Sequence, residues 1–188
     1  MLLALSGVTG VGKSYFKDRI VEELNFNKVN TIRTRQMRKG EENGKSGIFM
    51  TDEQLNALKA EGKIIYDFNV FGGRYAYKTE EILSNKNMVF EMHYTMIDDW
   101  KKIRPDIKTI YIFPKDLEIP KLKAKQRNLS KEKEIERINE IEEQYRIMTN
   151  NKEMRDKFDY ILYNEYNKES EEEILKLVRE ILSEQLKG

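Results

Sequence analysis

A short stretch near the start of the chain restricts its fold more than any other feature. Residues 7–14 read GVTGVGKS, which matches the pattern G-x-x-x-x-G-K-[ST]. An apolar run at residues 2–5 precedes it, and a helical pattern over residues 13–24 follows it. Glycines let backbone N–H groups turn towards phosphate oxygens, and the following helix directs its positive end at them. A strand, this loop and a helix in that order predict a nucleoside triphosphate site.

The residue types in this phosphate-binding loop (P-loop) fit a triphosphate with a metal ion. Lys13 can reach the terminal phosphates, and the Ser14 hydroxyl can hold Mg²⁺. A Gly-rich turn with an incidental Lys-Ser pair is the alternative, but the strand before it and the helix after it favour the nucleotide site. The predicted ATP-binding residues in the loop are Gly7, Thr9, Gly10, Val11, Gly12, Lys13 and Ser14.

Composition excludes several classes of function. The 34 basic and 33 acidic residues give a net charge of +1, which argues against a nucleic-acid coat or a polybasic membrane anchor. The absence of Cys excludes disulfide scaffolds and thiol nucleophiles, and the single His excludes a multi-His metal site. No apolar run approaches the roughly 20 residues that span a bilayer. We expect a cytoplasmic protein with small-molecule partners rather than nucleic acid or membrane.

Short apolar runs separated by helical patterns indicate a parallel sheet that is covered on both faces. We predict further strands at residues 88–92, 108–113 and 158–162.

The middle of the chain differs from the flanking regions in its sequence pattern. A helix is predicted at residues 51–61, with Thr51 and Gln54 as a capping box and Gly62 at its end. After it, the Gly72-Gly73 pair is a plausible turn between two strands. This block is a candidate inserted α+β lobe.

Two helical regions follow. Residues 117–150 are strongly charged and predict helices with a break near residues 128–130. In the last helix, Ser170 is expected as the N-cap, with Glu173 completing a capping box. An apolar stripe should pack this helix on the sheet; it consists of Ile174, Leu177, Val178, Ile181 and Leu182.

A basic segment follows the first helix. Residues 31–41 read TIRTRQMRKGE, which contains four basic side chains. Arginine suits a bidentate grip on phosphate. A solvated loop and a nucleic-acid patch are the alternatives, and the near-neutral net charge weakens the second of these.

The P-loop and this segment together resemble the guanylate kinase family of nucleoside monophosphate kinases. In that family, a T-T-R-x-x-R-x-G-E-x-x-G segment holds the phosphate of the acceptor. Residues 33–44 of this chain read RTRQMRKGEENG, so the matching positions are Arg35, Arg38, Gly40, Glu41 and Gly44. The resemblance covers nearly the whole chain.

The resemblance implies an α/β fold of the P-loop NTPase type. We expect a three-layer parallel sheet with an inserted α+β acceptor-binding lobe and a helical lid. Residues 1–30 and 79–188 would form the P-loop core, with the lid at about 118–137, and residues 31–78 the acceptor lobe.

The resemblance also assigns roles to individual residues. Arg127 and Arg137 would act with Lys13 on the transferring group as catalytic residues, and Asn164 would lie beside the donor nucleotide. Ser14 would hold Mg²⁺, with Glu91 as a second candidate acting through water. The required cofactor is Mg²⁺, and ATP is the co-substrate. The predicted acceptor-binding residues are Thr31, Arg35, Arg38, Glu41, Asp67, Tyr75, Tyr77, Glu91 and His93.

The chain departs from the family mainly on the acceptor side. Gly47 stands where the family has a Tyr that grips the acceptor phosphate, while Arg33 replaces a Thr and adds a cation nearby. Tyr77 replaces a small hydroxyl residue, and His93 replaces an Asp that reads guanine. Guanine offers N–H donors, so its reader must accept hydrogen bonds, which neutral His can do and charged His cannot. Lys123 also stands where the lid often has an Arg.

His93 has two interpretations. As the only His it could be a general base, but a polar residue at the end of a buried strand is the interpretation we favour. A phosphate acceptor is already anionic, so phosphoryl transfer to it needs no strong base.

The sequence predicts an ATP-dependent kinase that acts on a nucleoside monophosphate, with GMP or dGMP as the preferred acceptor. One alternative is a kinase of the same fold with another phosphorylated acceptor, which His93, Tyr77 and Gly47 favour. A non-catalytic binding module is a second, although such modules tend to lose the P-loop lysine. A nucleotide-dependent switch is a third. Oligomeric state is left open between monomer and homodimer.

Overall fold

A computed structural model describes residues 1–37, 40–70, 73–127 and 129–185 of the chain. A 3₁₀ turn at Tyr94–Met96 precedes the fourth helix. In chain order the elements are β1 (Leu2–Gly7), α1 (Lys13–Leu24), β2 (Asn27–Lys28), β3 (Ile32–Arg33), β4 (Ile48–Phe49), α2 (Asp52–Ala60), β5 (Ile64–Val70), β6 (Gly73–Lys78), α3 (Thr79–Ile82), β7 (Met88–Glu91), α4 (Ile97–Ile103), β8 (Lys108–Pro114), α5 (Glu118–Lys125), α6 (Lys131–Asn150), α7 (Lys152–Arg155), β9 (Tyr160–Asn164) and α8 (Lys168–Gln185).

A five-stranded parallel sheet lies at the centre, in the order β2-β7-β1-β8-β9. Every residue of β1 is buried, because helices cover both faces of the sheet. On one face, Leu3 and Leu5 pack with Phe16 of α1 and Ile174 of α8. On the other face, Leu2 and Ala4 belong to a cluster with side chains of α4 and α6. This is the predicted three-layer α/β architecture.

A second sheet lies within residues 32–78, in the order β4-β3-β6-β5. Its strands β3 and β4 are parallel, whereas β6 is antiparallel to both β3 and β5. Ile32, Ala76 and Leu55 of α2 form a small core on one face. The predicted capping box of α2 is confirmed: Thr51 Oγ1 accepts from Gln54 N, and Gln54 Oε1 accepts from Thr51 N.

Aromatic side chains join the second sheet to the central one. Trp100 of α4 is fully buried, with its ring 4.9 Å from that of Tyr77, 4.7 Å from Phe90 and 5.2 Å from Tyr66. Aromatic pairs at these separations add to the stabilisation from buried area. The second sheet therefore packs against the central sheet through one of its faces, while its own small core lies on the other face.

Most predicted elements are confirmed, with boundary shifts. The last strand runs from Tyr160 to Asn164 rather than over 158–162, while Phe158 is buried in the core before the strand begins. The predicted break at 128–130 separates α5 from α6, although Asn128 lies outside the described residues. So does Gly72 of the predicted turn.

The predicted cap of the last helix is wrong. The helix α8 begins at Lys168, so Ser170 lies inside its first turn. Asn167 accepts from the backbone N–H of Ser170 at 3.0 Å, and Ser170 Oγ accepts from Glu165 N at 2.9 Å. Both residue types are good caps, and the helix uses the earlier one. In the described part of the chain no helix is long and apolar enough to cross a membrane.

Candidate functional site

The P-loop joins the carboxyl end of β1 to the amino end of α1. Gly12 stands at the N-cap of α1, and it has no side chain to bond the first N–H groups of the helix. Those groups carry the positive end of the helix dipole. The Lys13 ammonium donates to the carbonyl oxygens of Gly7 at 2.8 Å and Val8 at 3.0 Å. The loop thus has the strand–loop–helix geometry on which the predicted phosphate site depends.

Positive charge converges on Lys13. Burial lowers the pKa of Lys13 to about 8, and the cations Arg127, Lys17 and Arg137 lower it further, while Glu91 acts in the opposite direction. Arg127 follows α5 and Arg137 lies on α6, so the predicted lid segment brings both arginines near the loop. A cluster of cations held together in this way favours a bound polyanion.

Glu91 lies at the carboxyl end of β7, beside the start of α1. Its carboxylate pairs with Lys17 Nζ at 2.6 Å and lies close to the Ser14 hydroxyl. Burial raises the pKa of Glu91, but Lys17, Lys13 and the hydrogen bonds outweigh burial and hold it below its usual value. The carboxylate is therefore ionised next to the predicted metal ligand.

The donor atoms at this position fit a magnesium ion. Mg²⁺ prefers oxygen ligands and is commonly held by one or two protein groups together with substrate phosphates. The Ser14 hydroxyl and the Glu91 carboxylate supply such oxygens. Among the described residues no group of three or more His, Cys, Asp or Glu side chains forms a separate metal cluster.

Asn164 connects the last strand to the P-loop. Its side chain is 4 % exposed, and its Nδ2 donates to Val11 O at 2.8 Å. Its Oδ1 accepts from Tyr166 N at 2.7 Å. Since both side-chain polar atoms bond to the backbone, Asn164 acts on the donor site by positioning the loop.

The helix α5 packs directly on the P-loop at Gly10. A Cβ at Gly10 would lie 3.0 Å from Pro120 Cα and O and 3.4 Å from Lys123 Cβ, and the residue has a φ of 85°. Glycine is required here because both the conformation and the close helix disfavour a side chain. The Lys123 ammonium lies 4.8 Å from the ring centre of Tyr166.

His93 follows β7 near Lys13 and Arg137. Partial burial of its ring, together with repulsion from these two cations, lowers its pKa to about 4, although the residue as a whole is solvent-exposed. Its Nδ1 lies 2.7 Å from Thr95 Oγ1. The imidazole is therefore neutral near pH 7, which is the form able to accept a hydrogen bond.

Four of the predicted acceptor residues meet on one face of the second sheet. Arg35 donates through both terminal nitrogens to Glu41, each at 2.6 Å, and through Nε to Tyr75 Oη at 2.9 Å. The carboxylate raises the pKa of Arg35 beyond its already high value, so the guanidinium stays charged. Thr31 lies on the same face, close to the Tyr77 side chain.

Tyr77, one of the predicted acceptor-binding residues, lies between the two sheets. It is 2 % exposed and packs against Trp100, with its hydroxyl donating to Glu91 O at 3.3 Å. Burial raises its pKa well above the usual value. Tyr77 therefore joins the second sheet to Glu91 of the central sheet.

Asp67 does not join the other acceptor residues. It pairs in register with Ala76, whose side chain faces α2, whereas its neighbours Tyr66 and Phe68 face the aromatic cluster. Its carboxylate binds Lys59 at 2.6 Å and Arg74 at 2.7 Å. Burial would raise its pKa, but these two cations hold the pKa below its usual value. Arg38, also predicted at the acceptor, lies outside the described residues.

Lys17 is a site residue that the sequence analysis missed. It forms the ion pair with Glu91 and contributes to the charge around Lys13. Its position one turn after Lys13 on the same helix was the available signal, since residues at i and i+4 share a helix face.

Comparison with known proteins agrees with this geometry. The sequence model of the guanylate kinase family matches residues 1–185 of the chain. A guanylate kinase of Wolbachia pipientis wMel is 28% identical over 197 aligned residues, which cover 100% of this chain and 93% of that protein. A guanylate kinase of Wolbachia sp. subsp. Brugia malayi (strain TRS) is 29% identical over 184 residues, covering 93% of this chain and 89% of that protein.

A solved structure supports the fold. The crystal structure of guanylate kinase from Anaplasma phagocytophilum matches with a TM-score of 0.65 and 22% identity, covering 98% of this chain and 85% of that one. Because the family model matches nearly the whole length, the chain is a member of the guanylate kinase family.

Proposed function

We propose that this protein transfers the γ-phosphoryl group of ATP to a nucleoside monophosphate, with GMP or dGMP as the acceptor. Membership of the guanylate kinase family supports the reaction class. In this proposal residues 1–30 and 79–188 form the core, with the lid at about 118–137, and residues 31–78 bind the acceptor. The partners are small-molecule nucleotides rather than nucleic acid or membrane, and we expect the reaction to occur in the cytoplasm.

One contact between the two sheets carries the proposal. Tyr77 lies on the same face of the second sheet as Tyr75, and its hydroxyl donates to Glu91 O of the central sheet at 3.3 Å. The Glu91 carboxylate in turn binds Lys17 Nζ at 2.6 Å on α1, the helix that begins at the P-loop. The acceptor face and the metal side of the donor site are therefore neighbours, as a direct phosphoryl transfer requires.

On the donor side, the N–H groups of the loop would hold the phosphates, and Asn164 would keep the loop in position. Lys13 would pair with the terminal phosphates once it exchanges its bonds to Gly7 O and Val8 O for phosphate oxygens. A bound Mg²⁺ would neutralise phosphate charge, and Ser14 and Glu91 are the residues that would hold it, Glu91 through water.

On the acceptor side, the Arg35 guanidinium would bind the acceptor phosphate, oriented by Glu41 and Tyr75. Arg127 and Arg137 would stabilise the charge of the transferring group. Catalysis in such sites rests mainly on positioning and electrostatic stabilisation. Neutral His93 would accept one hydrogen bond from the acceptor base.

A kinase of the same fold with a different acceptor is the second candidate. It is favoured by Asp67, whose carboxylate is turned towards Lys59 and Arg74 and is withdrawn from the base. Without it, His93 is the remaining predicted reader of guanine.

The test measures ATP-dependent ADP release with Mg²⁺ across the ribo- and deoxyribonucleoside monophosphates, with Lys13→Ala as the blank. Stimulation by GMP or dGMP supports the proposal, and stimulation by a different monophosphate alone supports the second candidate. Release that no monophosphate stimulates, or that the folded Lys13→Ala protein retains, contradicts both.

A further inference from the structure

On the face of the second sheet that carries Thr31 and Tyr75, the Arg33 side chain occupies the space directly beside Gly47. Gly47 is buried, with a φ of 140°. A Cβ built on it would overlap Arg33 Nη1, and would lie 3.0 Å from Arg33 Cζ and 2.8 Å from Thr31 O. The guanidinium thus occupies the space in which a side chain at position 47 would begin.

Packing rather than an ion pair holds this guanidinium. Arg33 Cζ lies 5.7 Å from the ring centre of Phe49 and 5.7 Å from that of Tyr75. Its Nη1 donates to Ser46 O, and its Nε is buried with no hydrogen-bond partner among the described residues. A buried donor without a partner costs stability, so the arrangement calls for an explanation.

Arg33 and the neighbouring Arg35 differ in how their charge is balanced. Arg35 is neutralised by two hydrogen bonds to Glu41, each 2.6 Å long. Within the described residues no carboxylate lies within ion-pair distance of Arg33. Arg33 therefore brings a positive charge to this face that the described residues leave unbalanced.

The location of Arg33 matches that of the acceptor phosphate in the proposed reaction. It is in register with Tyr75 on the face that also carries Thr31. Both guanidinium groups lie against the Phe49 ring, because Arg35 Cζ is also close to its centre, at 5.4 Å. Since Glu41 balances Arg35 and no described carboxylate balances Arg33, the pair carries a net positive charge that an anion bound between them would neutralise.

We propose that Arg33, in the volume left open by Gly47, binds the phosphate of the acceptor and makes the site depend on a phosphate monoester rather than on the nucleoside alone. This inference rests on the proposed function and adds a specificity-determining residue to it. A planar guanidinium suits the role because it can offer two parallel donors to phosphate oxygens.

The test compares Arg33→Ala with Lys45→Ala, which removes the same charge from an exposed side chain in the adjacent loop. For each variant, the KM of GMP, the KM of ATP and the inhibition constant of guanosine are measured. Loss of a charge-assisted hydrogen bond predicts that Arg33→Ala raises the KM of GMP about ten-fold or more. The KM of ATP and guanosine inhibition should stay within about two-fold, and Arg33→Lys should recover part of the loss.

A second variant, Gly47→Ala, tests whether the Arg33 guanidinium must occupy the space beside residue 47. Gly47→Ala places a Cβ where the guanidinium lies, so it should raise the KM of GMP in the wild-type background and have little further effect in Arg33→Ala. Its backbone strain is present in both backgrounds, so thermal unfolding of all variants separates strain from binding.

The outcomes separate this inference from the proposed function. Wild-type protein that neither binds nor phosphorylates GMP overturns both. Wild-type activity with GMP, together with an Arg33→Ala variant whose KM for GMP matches that of Lys45→Ala, overturns the inference and leaves the function standing. An equal loss of guanosine and GMP binding also overturns it, because the role would then be structural.

Discussion

Replacing Asn164 by Ala removes the side chain that fastens the P-loop to the end of the central sheet. Two backbone groups lose their partners: the carbonyl of the fully buried Val11, bonded at 2.8 Å, and the N–H of Tyr166, bonded at 2.7 Å. A buried polar group left without a partner costs about 1–3 kcal/mol. We therefore expect a loss of about 2–4 kcal/mol, or roughly 4–16 °C in Tm for a chain of this size.

The assay combines thermal unfolding with steady-state kinetics. Because the loop loses its anchor, the KM of ATP should rise at least about three-fold, whereas the KM of GMP should change less. Asn139→Ala on the exposed surface of α6 is the matched control, and it should leave both Tm and KM unchanged. A Tm for Asn164→Ala within about 2 °C of that control, with an unaltered KM for ATP, would refute the reasoning.

Three further predictions concern the charged and aromatic residues around the site. His93 is the single His, so its ring proton resonance should titrate near pH 4. Because its pKa of about 4 in the folded protein lies below the ordinary value of 6.5, the stability that it contributes should fall as the pH drops from 6.5 to 4. The variant His93→Gln should lose this pH dependence, and its absence in the wild-type protein would contradict the assignment. Glu91→Gln should lower kcat and move the alkaline limb of the pH–rate profile to lower pH, since Glu91 raises the pKa of Lys13; an unmoved limb would contradict this. Trp100→Ala should cost about 3–5 kcal/mol in urea unfolding, because a fully buried ring leaves a cavity between the two sheets, whereas Trp100→Phe should cost less.

The sequence predicted the strand and helix on either side of the P-loop well, because their signals are local. The P-loop, the strand before it and the helix after it lie within one short segment, and α1 spans the predicted residues Lys13–Leu24. The capping box at Thr51 and Gln54 is likewise a contact between near neighbours. Backbone preferences decide such features with little help from the rest of the chain.

The acceptor side was harder, because its geometry depends on how separate strands pair. Asp67 alternates with Tyr66 and Phe68, which turn to the aromatic cluster, and that alternation was a usable signal that Asp67 faces the other way. The departures at Gly47 and Arg33 signalled a change at the acceptor phosphate, but the sequence did not show that Arg33 packs directly over Gly47. This packing arises from the pairing of β3 with β4, which brings residues far apart in sequence into one volume.

The measurement that tests the account most directly follows ATP and GMP to their products with Mg²⁺ present, by chromatography of the nucleotides. The account predicts equimolar ADP and GDP from the wild-type protein, and a loss of both by orders of magnitude in a folded Lys13→Ala variant. ADP formed without GDP, or GDP formed equally well without Lys13, would contradict it.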